Sequence, residues 1–290
     1  MTSRLMEGQV DDSASTYPAP NVTLGSEGGY AALILHHGDR IRLIDFPEDV
    51  HAVVCETVNS HWPGGVQSKK TMGNLKNTRE MKLKGYPWAG VVLGYEPNQQ
   101  PATPTKLVNR LLENLFNVGW EFKIRTSLSK INQDEEVLMF RCGGPWQRCE
   151  WAAIDTHFED GLLLINTPAH LAQAIREILH VQKEAHNPPP GYYGFKIRGY
   201  PWTHGNRTGE NGTRLALRIL EVAEEQGWFL YASVKQGATD AWHFCRVIPE
   251  DPQPLVDIPE PENPFEATAE NIIHEEDAVS DAITPHSLLN

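Results

Sequence analysis

The chain has 290 residues, 40% apolar and 22% charged, with a formal net charge of −13. That is the composition of a globular protein long enough for two cores of ordinary size, and it contains no run of about eighteen apolar residues that would span a bilayer. The charge is unevenly placed: residues 249–290 hold eleven Asp and Glu and neither Lys nor Arg, which leaves the preceding body close to neutral and argues against nucleic acid as a partner, since such domains carry a basic stripe.

Residues 1–29 lack the basic start and apolar stretch of a secretory signal. The expectation is a cytoplasmic protein, with the nucleus left open, in which Cys55, Cys142, Cys149 and Cys245 stay reduced. Residues 1–29 and 249–290 bury too little apolar surface to offset chain ordering and read as disordered.

From residue 42 the chain alternates strand and helix signals. Arg42-Leu-Ile-Asp-Phe-Pro47 is a short apolar strand followed by a Pro that starts an amphipathic helix. MKLKGYPW at 81–88 places Lys82 and Lys84 on one side of a strand and Met81 and Leu83 on the other. TKLVNRLLENLFNVGW at 105–120 puts Leu107, Leu111, Leu115 and Val118 on one helical face, with Thr105 as its cap and Gly119 at its end. EFKIRTSLS and EVLMFRC close the unit as two strands.

The same order then repeats. Leu163-Leu-Ile-Asn-Thr-Pro168 leads into AHLAQAIREIL, FKIRGYPW at 195–202 answers MKLKGYPW, and TRLALRILEVAEEQGW at 213–228 answers the second helix, with Thr213 as cap and Gly227 at its end. FLYASVK and AWHFCRV finish it. The sequence therefore predicts an α+β protein of two tandem β-α-β-α-β-β repeats, each a sheet with two helices on one face. The expected boundaries are 30–142 and 158–248, joined by a linker at 143–157.

The duplicated octapeptide is the candidate site. Its residues Lys82, Lys84, Tyr86, Trp88 and Lys196, Arg198, Tyr200, Trp202 have two readings. In one, Gly turns the chain and Tyr and Trp cap the core with their polar atoms bonded at the rim. In the other, the bases and rings line a groove for an anionic ligand or for a protein partner with acidic and apolar features, present twice.

Arg110 with Glu113, and Arg218 with Glu221, have the spacing of ordinary surface ion pairs, and Lys106 and Arg214 join that solvated face. Asp134 and Asp240 read as hairpin-turn residues. No nucleophile elbow, phosphate loop or zinc-protease motif occurs, and Cys142 and Cys149 are too far apart for a zinc pattern. The expectation is a non-catalytic binding protein without metal or cofactor. The alternative is an enzyme with a pocket near the second Tyr-Pro-Trp, where His204 has no counterpart in the first copy.

In the acidic tail, Asn263-Pro264-Phe265 presents a Phe after a turn-favouring Asn-Pro. The tripeptide resembles the Asn-Pro-Phe peptides recognised by EH domains of endocytic proteins, and the resemblance implies a partner of that kind.

Overall fold

The computed structural model describes residues 28–73, 75, 77–88, 103–128, 135–143, 147–157, 159–185, 189–203, 208–236 and 239–249. The Asn263-Pro264-Phe265 tripeptide, His204, Asp134 and nearly all of both expected disordered ends lie outside them. Residues 28 and 29 belong to the fold: Gly28 N donates to Cys142 O, and Cys142 N donates to Gly29 O.

The first repeat runs β1 (Tyr30–His36), β2 (Arg40–Ile44), α1 (Glu48–His61), β3 (Val66–Thr71), β4 (Thr78–Leu83), α2 (Pro104–Asn117), β5 (Trp120–Thr126) and β6 (Glu136–Cys142). The second runs β7 (Cys149–His157), β8 (Gly161–Ile165), α3 (Ala169–Ile178), β9 (Val181–Glu184), β10 (Tyr193–Ile197), α4 (Thr208–Glu225), β11 (Phe229–Gln236) and β12 (Thr239–Val247). Each forms a six-stranded sheet, β3-β4-β2-β1-β6-β5 in the first and β11-β12-β7-β8-β10-β9 in the second. These are one topology read from opposite edges, and every strand pair is antiparallel.

The expected β-α-β-α-β-β elements are present in order in both copies, and each copy adds two strands. β3 is an exposed edge strand of polar residues, so it lacks the apolar alternation that marks a half-buried strand. β7 corrects the linker expected at 143–157: Ala152 and Ile154 pack into one cluster while Trp151 packs into another on the opposite face. A strand buried on both faces shows no alternation either.

Helix starts follow local chemistry. Pro47 and Pro168, extended at φ −68° and −69°, precede α1 and α3. The cap of α2 is Thr103, not Thr105: Pro104 occupies the first turn, where its missing N–H costs nothing, and the Thr103 hydroxyl accepts from Lys106 N. Thr213 likewise lies inside α4, which begins at Thr208. Gly119 and Gly227 end their helices at φ 87° and 78°, the left-handed geometry that glycine adopts without a Cβ clash.

Leu33, Leu35, Ile41, Leu43, Met81 and Leu83 line the face of the first sheet that receives α1 and α2, where Val50, Val54, Val58, Leu107, Leu111 and Leu115 fill the core. Helix α2 also contacts β7, so it lies between its own sheet and the second one. Asn109, fully buried, donates to Ala152 O at 3.1 Å and lies 3.4 Å from His243 Nδ1, and Asn166 Nδ2 donates to Asn109 Oδ1 at 3.2 Å. Thr105 donates to Asp155 Oδ2 at 2.7 Å. Lys106, expected on a solvated face, sits over the Tyr192 ring at 5.7 Å, and burial lowers its pKa. Beside this polar seam, Trp151 and Tyr231 stack edge-on at 4.8 Å, Phe116 meets both, and Phe122 N donates to the Tyr231 hydroxyl at 2.7 Å. Rings of this size stabilise by roughly 1.5–3 kcal/mol each when buried. The two repeats thus share core.

Candidate binding surface

The register places the two octapeptides at equivalent positions. Lys82 pairs with Arg40 on β2, and Lys196 pairs with Gly161 on β8. In both copies the strand then leaves the sheet and wraps around the preceding hairpin turn. Leu83 N donates to Asp39 O and Trp88 N to Gly38 O; Ile197 N donates to Asp160 O and Trp202 N to Glu159 O. Gly85 and Gly199 make the corner at φ 86° and 88°, and Tyr200 follows at φ 49°.

This wrapping separates the candidate residues. Trp88 is 8% exposed and its indole N–H donates to Arg40 O at 2.9 Å; Trp202 is half-buried and donates to Gly161 O at 2.7 Å. The tryptophans are part of the fold, as buried indoles satisfied by a backbone carbonyl, and Trp88 is therefore corrected from groove residue to core residue. Pro87 and Pro201 are buried with them. The tyrosines point the other way: Tyr86 is 67% exposed and Tyr200 54%.

The bases divide as well. Lys82 lies 3.7 Å from Asp39 and Lys196 lies 3.2 Å from Asp160, so one base of each expected pair is engaged by the hairpin turn it flanks. Lys84 and Arg198 are exposed. The Lys84 stem packs over Gly64, where an added Cβ would lie 2.6 Å from its Cδ. What each corner presents outward is one tyrosine and one base.

The sheet face opposite α1 and α2 differs between the copies. In the first, Glu80 is held by Arg40 at 2.5 Å and Arg42 at 2.8 Å and is 5% exposed. Burial pushes its carboxyl up, yet the hydrogen bonds from Arg42 and Arg40 prevail and hold it below the usual carboxylate range. At the register-equivalent positions the second repeat carries Gly161, Leu163 and Gly194. The second repeat therefore has no counterpart of the Glu80 carboxylate and its two arginines at these positions.

Sequence reasoning missed a cleft of about 480 Å³ at the start of α1, lined among others by Tyr30, Asp45, Glu48, His51, Asn77 and Arg79. A second cleft of about 200 Å³ continues past Glu48, His51 and Arg79 to Cys55 and Lys69. Arg79 donates to Glu48, and His51 Nδ1 lies 3.5 Å from the same carboxylate; burial lowers the His51 pKa. Residues this far apart in sequence form no spacing motif. Other pairs fall where their spacing placed them: Arg110 meets Glu113 at 2.5 Å and Arg218 meets Glu221 at 2.9 Å. Asp240 lies within β12 and not in a turn, 3.6 Å from Arg125 of the first repeat. No helix among the described residues is long and apolar enough to cross a membrane.

A protein-family domain profile matches the chain twice, over residues 29–141 and 150–245. The chain belongs to that family and carries its domain in tandem. Comparison with curated proteins and with solved structures found no match.

Proposed function

We propose that this two-copy member of the family is a non-catalytic binding protein whose paired corners, Lys84 with Tyr86 and Arg198 with Tyr200, engage a protein partner carrying acidic and apolar side chains. The supporting observation is the division of labour within the repeated octapeptide. In both copies the tryptophan is drawn inward by an indole hydrogen bond, and the tyrosine is left outward beside an unburied base. A large ring held out by a glycine corner loses little side-chain entropy on contact, and tyrosine and arginine are enriched where interfaces concentrate their energy. Two corners on one body add avidity when a partner reaches both.

The test compares the full chain with Tyr86→Ala/Tyr200→Ala and Lys84→Glu/Arg198→Glu double variants. Partners captured from cells are identified by mass spectrometry, and the purified partner is then titrated against all three proteins. Each tyrosine is expected to contribute about 1–2 kcal/mol, so both double variants should bind more than tenfold more weakly with unchanged melting temperature. Equal binding by native and variant chains would sink the proposal.

A further inference from the structure

At the far end of β1 a second constellation forms that neither corner uses. His36 is fully buried on the sheet face opposite α1 and α2, and neither ring nitrogen has a hydrogen-bond partner among the described residues. Its Nε2 faces the Glu80 carboxylate at 3.3 Å. In a continuing strand His37 would project to the other face. Instead its φ of 53° ends the strand and brings the two imidazole rings to a centroid separation of 4.6 Å. Glu135 precedes β6, whose Glu136 pairs with Leu35, so the next rung sets Glu135 beside His36. One ligand atom from each of His36, His37 and Glu135 lies within 4.8 Å of the other two.

We propose that His36, His37 and Glu135 form a binding site for one divalent transition-metal ion, with Glu80 orienting His36 from behind. Two imidazoles and a carboxylate suit borderline ions such as Zn2+ or Co2+ better than Mg2+ or Ca2+, which prefer oxygen alone. Bonds of about 2.0–2.2 Å need only a small inward movement of side chains already this close. A carboxylate on one imidazole nitrogen that leaves the other for the ion is the usual support of a metal-bound histidine. Glu80, 3.3 Å from His36 Nε2, stands where a small turn of the ring would make that bond, and its own charge is balanced by Arg40 and Arg42. His37 is exposed, which opens the site to entering ions, and three protein ligands leave room for water or a partner's side chain to complete the shell. In the second repeat the sequence has Phe158 after His157 where the first has His37 after His36, and Thr239 takes the register position of Glu135, so the expected stoichiometry is one ion per chain.

The experiment titrates the metal-stripped full chain with Zn2+ against a chromophoric chelator and with Co2+ followed by its visible absorption. The native chain should take up one equivalent. His37→Ala and Glu135→Gln alter side chains outside the packed core; each should weaken binding by at least tenfold while the apo melting temperature stays put. Glu80→Gln should weaken binding by about 10–100-fold, as loss of an outer-sphere partner does. No uptake by the native chain, or unchanged uptake by His37→Ala and Glu135→Gln, would overturn the site, the latter because the ion then sits on other histidines.

Discussion

Asn109, on a helix of the first repeat, donates its side-chain amide to the backbone carbonyl of Ala152 in a central strand of the second. Both groups are buried, and the same amide faces His243 and accepts from Asn166. Replacing Asn109 by Ala strands a carbonyl without water, at a cost of about 1–3 kcal/mol. Because the seam joins the cores, the loss should appear in both repeats at once. Urea unfolding followed by tryptophan fluorescence should show a single transition shifted to lower denaturant. Two separate transitions in the native chain would refute the shared core.

The repeated octapeptide predicts opposite responses from neighbouring residues. Trp88→Phe removes the indole donor to Arg40 O and should cost about 1–3 kcal/mol, whereas Tyr86→Ala, at an exposed position, should stay within about 0.5 kcal/mol. Thermal melts of the two variants measure the contrast, and comparable losses would show that the tyrosine is also structural.

His243 gives the acid limb of stability a defined origin. Burial pushes its pKa down to about 3 from an ordinary 6.5, so the folded state holds it neutral while the unfolded chain protonates it. Its contribution is complete above about pH 6.5 and is lost as pH falls through the interval down to about 3, with a slope approaching about 1.4 kcal/mol per pH unit. His243→Met, the residue that the first repeat has at the equivalent Met139, should flatten that slope between pH 6 and pH 4. An unchanged slope in the variant would assign the acid sensitivity to other groups.

Gly212 lies inside α4, where alanine would ordinarily stabilise by about 1 kcal/mol. Here a Cβ would meet the Pro201 carbonyl oxygen at 2.1 Å. Gly212→Ala should therefore destabilise by about 1–3 kcal/mol, the usual cost of forcing atoms into a packed contact. A gain in melting temperature would mean that the corner and the helix separate easily.

The sequence by itself determined the duplication, the α+β class, both helices of each repeat and the strands that alternate or sit beside the octapeptide. Those features are local: glycine corners, prolines before helices and apolar faces at helical spacing reflect the conformational limits of single residues and their near neighbours. Only the tertiary structure decided that 149–157 is a central strand, that Thr105 donates to Asp155 of the other repeat, and that Trp88 and Tyr86 face opposite ways. It alone gathered Glu48, His51 and Arg79 around one cleft, and His36, His37 and Glu135 around one point. Each of these depends on groups far apart in the chain, whose proximity is set by which sheet face is covered and by what. The pattern of one strand cannot record a helix that arrives from the neighbouring repeat.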